Sequence, residues 1–208
     1  MKNATIEFIG AFFLTFVVAI AVGGGIAANL APFAVFAVLT ACIYAGGHHS
    51  GGAYNPVVVV MAWFRGKISA ATMLGYWVAQ MTAGIAAGLL VKSMPNLTMP
   101  LAAFVPDTRS AMIVEFLFTF LLCFVVLQVA TTEKIKENPF YGVPIAMVAL
   151  AGALSVGAVS SAVFNPAVGA MLVTVGHFAL PTYFLYCGAQ LAGAILASFL
   201  FKFTNAGE

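Results

Sequence analysis

A short pattern that occurs twice constrains this chain more than any other feature. The first copy runs from Ser50 to Val57 and contains Asn55-Pro56, and the second runs from Ser161 to Val168 and contains Asn165-Pro166. Proline is well tolerated at the first position of a helix, and asparagine just before it is a strong N-cap. Each copy therefore predicts the start of a helix.

The apolar runs that follow the two Asn-Pro pairs are short. They cover residues 57–64 and 167–175. At about 1.5 Å per residue, a run of roughly ten residues crosses only half of a ~30 Å hydrocarbon layer. If the chain lies in a membrane, we expect two half-helices whose capped N-termini lie inside the bilayer.

The composition is that of an integral membrane protein. Of the 208 residues 63% are hydrophobic and only 7% are charged, whereas soluble domains carry about a quarter charged residues. The net charge of +2 is too small to indicate a nucleic-acid partner. The three cysteines lie in apolar runs without metal-ligand spacing, so we expect neither a metal nor another cofactor.

Six longer apolar stretches have about the 20 residues that a membrane span requires. We place them at about 5–25, 33–49, 70–91, 110–131, 140–160 and 181–202. The half-helices then lie between spans two and three and between spans five and six.

The basic residues are distributed unequally between the two sides of this arrangement. One side carries only Lys92 and Arg109, and the other carries Lys2, Arg65, Lys67, Lys134, Lys136 and Lys202. Cytoplasmic connectors are enriched in lysine and arginine. We therefore expect a protein of the cell (inner or plasma) membrane with both termini in the cytoplasm.

The two halves of the chain repeat one another. Glu7, Asn55 and Gln80 match Glu115, Asn165 and Gln190 at offsets of 108 to 110 positions, in the same order. Each half contains three spans and one half-helix, so the second half is inverted relative to the first. Inverted repeats meet near the bilayer midplane, where discontinuous helices form the site. We expect one transmembrane domain over 1–208, with repeats at about 1–95 and 108–208.

The residues around both Asn-Pro pairs resemble a known family. Residues 47–57, Gly-His-His-Ser-Gly-Gly-Ala-Tyr-Asn-Pro-Val, look like the first signature of the aquaporins (major intrinsic proteins), and Phe164-Asn165-Pro166-Ala167 looks like the second. The resemblance covers essentially the whole chain. It implies an all-α fold of six transmembrane helices and two re-entrant half-helices, assembled as a homotetramer. It also implies a passive channel, not an enzyme, that passes water and small uncharged solutes such as glycerol and excludes ions and protons.

The paired motifs suggest the pore-lining residues. These are Asn55, Pro56, Val57, Asn165, Pro166 and Ala167. Two helix N-termini that face each other repel cations, because each carries about half a positive elementary charge. The asparagine amides also have N–H groups left over after capping, and these can bind a passing oxygen.

Three further residues match the family. Glu7 and Glu115 are costly in a bilayer unless they are partnered, and we interpret both as buried acceptors for the backbone that leads into the half-helices. The rival interpretation is a proton-relay carboxylate of a transporter. By resemblance His48 is the motif histidine, with its ring on the pore side; the alternative is a ring bonded to neighbouring backbone.

The largest departure from the family is Val168, because family members usually place arginine directly after the second Asn-Pro-Ala. Ungapped alignment puts Val35, Ala153 and Ala162 at the other three positions of the outer constriction. This ring is small and apolar, which favours passage of solutes larger than water. An apolar constriction can also dewet and close. Three aromatic residues are candidates to fill the space: Phe33, Phe36 and Phe164.

Two other functions remain open at this point. An ion-coupled secondary transporter would also have inverted repeats and broken helices, and it would require an ionisable residue on the pathway. A closed membrane protein with a structural role would have the same fold and a blocked constriction. An enzyme is the least favoured, because the sequence has no nucleophile–base pair or metal-ligand constellation.

Overall fold

The computed structural model describes residues 1–25, 29–94, 96–97 and 102–207. Within these residues the chain forms eight α-helices and one short 3₁₀ turn, Glu133–Ile135. The α-helices are α1 (Lys2–Val22), α2 (Ala31–Ser50), α3 (Pro56–Phe64), α4 (Ala70–Lys92), α5 (Thr108–Thr131), α6 (Gly142–Ser160), α7 (Pro166–Thr174) and α8 (Leu180–Thr204).

Six of the helices are long and apolar enough to cross a membrane. They are α1, α2, α4, α5, α6 and α8, with 19 to 25 residues each. The other two, α3 and α7, have nine residues each and begin at Pro56 and Pro166. The predicted all-α fold of six spans and two half-helices is therefore confirmed.

The first span is displaced from its predicted position. We expected it at about 5–25, but α1 begins at Lys2 and ends at Val22. The residues after Val22 are three consecutive glycines, and Gly24 has a left-handed backbone conformation with φ of 75°. Glycine adopts this conformation at little cost and has a low helix propensity, so an apolar average over the run overestimates the length of the helix.

Each half-helix packs against the opposite repeat. The half-helix α7 lies against α4, and α3 lies against α8, in addition to the α1–α4 and α5–α8 contacts within each repeat. A Cβ atom on Gly84 would overlap the carbonyl of Ala167, so glycine there allows the start of α7 to approach α4. Exchange of half-helices joins the two repeats into one bundle.

The chain order divides the bundle into two ends. One end carries the start of α1, the end of α8 and connectors 65–69 and 132–141; we call it the basic end, because six of the eight Lys and Arg residues lie there. The far end carries the connectors between α1 and α2, α4 and α5, and α7 and α8. Since α3 and α7 start in the interior and run to opposite ends, their N-termini face each other.

Candidate functional site

The two half-helices begin at the predicted asparagine caps. The backbone N–H of Val57 donates to Asn55 Oδ1 at 3.1 Å, and that of Ala167 donates to Asn165 Oδ1 at 2.9 Å. Both asparagines have extended backbone conformations, and the prolines occupy the first helical positions. Each cap satisfies one N–H that the first turn of its helix leaves without a partner.

The asparagine amides also connect the two repeats. Asn55 Nδ2 donates to the carbonyl of Phe164, and Asn165 Nδ2 donates to the carbonyl of Tyr54, both at 2.9 Å. Tyr54 and Phe164 have left-handed φ values of 47° and 46°. An amide nitrogen has two N–H groups. The second one of each asparagine makes no hydrogen bond to the described residues, so it remains available to a solute.

Both asparagines line a cavity of about 810 Å³. The cavity extends from Lys67 and Lys136 at the basic end to Phe104 at the far end. Most of its lining side chains are apolar, as is usual for ligand and solute sites. One cavity therefore reaches both ends of the bundle and passes the junction of the two half-helices.

The carboxylate of Glu7 holds the irregular segment that precedes α3. It accepts hydrogen bonds from the Ser50 hydroxyl, from the backbone N–H groups of Ala53 (3.1 Å) and Tyr54 (2.8 Å), and from Gln80 Nε2 (2.7 Å). Glu7 is fully buried. Non-helical backbone at membrane depth must be satisfied within the protein, and this carboxylate supplies the acceptors.

Glu115 does the same for the segment that precedes α7. It accepts from the Ser160 hydroxyl (2.7 Å), the Val163 and Phe164 N–H groups (2.8 Å each) and Gln190 Nε2 (2.8 Å). The serine equivalent to Ser50 is therefore Ser160. The second copy of the motif begins one residue earlier than Ser161, where we placed it from the sequence.

The four expected constriction residues all lie at the surface of this cavity. Val35, Ala153, Ala162 and Val168 all line the cavity. Val168 is 4% exposed and belongs to an apolar cluster that includes Phe178. All four side chains lack hydrogen-bonding groups, so at these positions the cavity wall is small and apolar.

Of the three aromatic candidates for filling this space, only Phe164 is among the described residues that line the cavity. Phe33 is exposed, Phe36 packs against the central apolar cluster, and neither is among the described residues that line the cavity. The Phe164 ring stacks on Phe118 with 5.2 Å between centroids. At the far end the cavity is also lined by Phe104, from the connector between α4 and α5.

The structure does not place His48 among the described residues that bound the cavity, so its pore-side position stays a prediction. His48 is exposed, and its ring lies 3.9 Å from that of His49. Near the end of α2, successive side chains point about 100° apart, so a residue beside the re-entrant segment need not face it. Ala53, two residues before Asn55, lines the cavity instead.

His177 is a lining residue that sequence reasoning missed. It follows α7, is 8% exposed, and places Nδ1 2.9 Å from the Ala102 carbonyl oxygen and Nε2 3.2 Å from the Ser161 hydroxyl. Burial lowers the pKa of its imidazole, and the hydrogen bond to Ala102 offsets part of that shift. Within the described part of the chain, no three His, Cys, Asp or Glu side chains cluster as metal ligands would.

Comparisons with known proteins identify the family of this chain. The sequence matches the family described as Major intrinsic protein over residues 1–158 and again over 110–208. It is 33% identical to the glycerol uptake facilitator protein-like 6 of Lactiplantibacillus plantarum, with 96% of each chain covered. It is 32% identical to aquaporin NIP1-4 of Oryza sativa subsp. japonica, covering 81% of this chain and 63% of that protein's length.

A solved structure has the same fold. The aquaglyceroporin from Plasmodium falciparum superimposes with a TM-score of 0.75 over 95% of both chains, at 17% sequence identity. At that identity the likeness concerns the fold alone. The chain belongs to the major intrinsic protein family.

Proposed function

We propose that this protein is a passive membrane channel for water and small uncharged solutes such as glycerol. The observation that carries the proposal is the cavity that reaches both ends of the bundle and passes the amides of Asn55 and Asn165. The names of its relatives, a glycerol uptake facilitator and an aquaporin, support the same solute class. The two repeats, about 1–95 and 108–208, act together as one channel domain.

The mid-membrane junction is the proposed barrier to ions and protons. The N-termini of α3 and α7 face each other, and each carries about half a positive elementary charge. The unused N–H groups of Asn55 and Asn165 hold a passing oxygen as an acceptor, which interrupts the chain of hydrogen bonds that a proton would follow. The residues that build this junction are Asn55, Pro56, Val57, Asn165, Pro166 and Ala167.

The outer constriction is the proposed size filter for solutes. Its four side chains, from Val35, Ala153, Ala162 and Val168, leave more room than arginine and aromatic residues would. This favours measurable glycerol passage. The polar groups at the junction then replace part of the solute's lost hydration.

The two alternative functions have less support. A coupled transporter requires an ionisable group that exchanges protons or ions along the pathway. Glu7 and Glu115 each accept four hydrogen bonds from the protein, so their oxygens are occupied by structural donors. A closed structural protein would have no cavity reaching both ends.

The membrane location and the assembly are part of the proposal. The excess of lysine and arginine at the basic end orients that end, and with it both chain termini, towards the cytoplasm of the cell membrane. Exposed apolar side chains on the spanning helices are suited to lipid and to neighbouring subunits. We propose a homotetramer with one pore in each subunit.

A block of the cavity tests the channel directly. Ala153 lines the cavity, whereas its neighbour Leu154 is 57% exposed on the other face of α6. In proteoliposomes subjected to osmotic and then glycerol gradients, Ala153→Trp should reduce both fluxes to those of empty vesicles. The control, Leu154→Trp, adds the same indole one residue away and should keep both.

Two outcomes would contradict the proposal. Water and glycerol fluxes of the unmodified protein no higher than in empty vesicles would show that the cavity does not conduct. Glycerol uptake that stops when the proton and sodium gradients are collapsed would show a coupled transporter.

A further inference from the structure

The connector between α4 and α5 places an aromatic side chain at the far end of the cavity. Phe104 lines the cavity and packs against the apolar cluster that contains Val168, Val163 and Phe178. Its ring centroid lies 5.9 Å from that of Phe178. The ring therefore lies at the far-end opening of the cavity, which we call the far-end mouth. This mouth is next to the constriction, whose own side chains are small.

His177 holds this connector from two directions. The backbone N–H of Phe104 donates to the His177 carbonyl at 2.8 Å, and His177 Nδ1 lies 2.9 Å from the carbonyl oxygen of Ala102. The rings of Phe104 and His177 stack, with 5.6 Å between centroids and 18° between planes. Two residues of the connector are thus fixed to the residue that follows α7.

The chemistry of these contacts fixes the tautomer of His177. A carbonyl oxygen can only accept, so Nδ1 carries the proton that it donates to Ala102. In the neutral ring Nε2 is then an acceptor, and the Ser161 hydroxyl donates to it at 3.2 Å. His177 therefore connects the connector at Ala102 to the re-entrant segment at Ser161, which lies beside the constriction residue Ala162.

We propose that Phe104 is a specificity-determining residue, which limits solute size at the far-end mouth, and that His177 is its positioning residue. The inference rests on the proposed channel function and adds to it the source of size selection. In this chain the bulk that the four constriction side chains lack is supplied by a connector. Because pore diameter sets which neutral solutes pass, removal of this ring should affect large solutes more than water.

The test compares water, glycerol and a five-carbon polyol in proteoliposomes at pH 7.5. For Phe104→Ala we expect the glycerol-to-water permeability ratio to rise by about tenfold, the lower end of the range that one methylene-sized difference in an apolar site produces. The five-carbon polyol should begin to pass, while water permeability changes little. Phe104→Trp should lower the glycerol ratio, since the larger ring narrows the mouth.

Separate variants test the positioning role of His177. His177→Ala removes the side-chain contacts to Ala102 and Ser161, so it should shift the ratio in the same direction as Phe104→Ala, by a smaller factor. His177→Gln keeps an amide donor and should restore part of the selectivity. The control is Phe140→Ala, which removes an exposed phenylalanine from the connector at the basic end and should leave the ratio unchanged.

The possible failures are distinguishable. Suppose that the unmodified protein passes water and glycerol, but that Phe104→Ala and Phe104→Trp have the same glycerol-to-water permeability ratio as the unmodified protein. The inference is then overturned and the channel function stands. If the unmodified protein passes neither, the channel function fails and the inference fails with it. A change in ratio for His177→Ala alone would assign the size limit to His177 and contradict the role of Phe104.

Discussion

The two re-entrant segments, 51–55 and 161–165, have the same hydrogen-bonding scheme and different residues. In both, a buried glutamate accepts from a serine hydroxyl and two successive backbone N–H groups, and an asparagine ends the segment. In both, the two residues after the serine have left-handed φ values. The first repeat uses Gly51 (93°) and Gly52 (63°), and the second uses Ser161 (63°) and Ala162 (49°).

This difference shows which part of the structure serves the scaffold and which part serves the pore. Non-glycine residues in the left-handed region cost about 1–2 kcal/mol each. The second repeat carries that cost at the two positions where a side chain is used: the Ser161 hydroxyl donates to His177, and the Ala162 methyl group lines the cavity. The first repeat has no side chain at either position. The shared contacts form the scaffold, and the differing residues shape the far-end mouth.

The largest effect should come from removing either glutamate. In Glu7→Leu or Glu115→Leu, four donors lose their acceptor at once, and each donor that is orphaned in the interior costs about 1–3 kcal/mol. We expect either variant to lose most of its folded yield, measured by size-exclusion chromatography of detergent-solubilised protein. Because the two hydrogen-bond sets match, the losses should be equal in the two repeats.

Glutamine is the control for both positions. Glu7→Gln and Glu115→Gln keep one carbonyl acceptor and nearly the same volume, so each should lower the midpoint of thermal unfolding and still leave folded protein. Full folded yield and unchanged water permeability in either leucine variant would contradict the scaffold role. A clear difference between Glu7→Leu and Glu115→Leu would show that the matched contacts do not have matched energies.

The scaffold was predictable from the sequence because its signals are local or repeated. Proline fixes its own φ, and asparagine before it caps a helix, so two Asn-Pro pairs define two helix starts without tertiary information. The repeat offset then pairs Glu7 with Glu115. Since a buried carboxylate in a bilayer needs partners, and the irregular backbone needs acceptors, their contact follows from physical chemistry.

The far-end mouth was not predictable in the same way. Phe104 and His177 lie in connectors, which have no periodicity and no equivalent at the same offset in the other repeat. Their contact joins residues 73 positions apart and depends on how two connectors fold over the bundle. The one sequence signal for Phe104 was the presence of a phenylalanine in a connector of a membrane protein. The orientation of His48 was hard to predict for a related reason, because it depends on where α2 ends.

A smaller effect is expected from restoring a cation at the constriction. Val168→Arg adds a guanidinium with five N–H donors to an apolar part of the cavity wall. We expect glycerol permeability to fall by about tenfold and water permeability by about threefold, because a narrower and more polar pore excludes larger solutes first. Paired measurements in liposomes of matched protein content give both values.

Val168→Met separates size from charge at this position. Methionine adds length without a donor or a charge, so it should lower glycerol flux less than arginine and leave cation leakage unchanged. Equal glycerol flux in the unmodified protein and Val168→Arg would show that Val168 does not limit passage. The comparison of the two segments would then place selectivity entirely in Phe104 and its connector.

The smallest expected effect comes from exchanging residues between the two segments. Gly52 and Ala162 are equivalent, and both have left-handed backbones. Gly52→Ala should destabilise the protein by about 1 kcal/mol or more, since it adds the left-handed cost of a non-glycine residue and places a Cβ atom 3.2 Å from Gly47 Cα. Ala162→Gly should stabilise it by up to about 1 kcal/mol by removing that cost. Thermal unfolding in one detergent measures both shifts.

Opposite signs of the two stability changes would support the view that the second repeat accepts strain in order to place a methyl group at the pore. Destabilisation by both would show instead that the packing of the Ala162 methyl group outweighs the strain of its backbone.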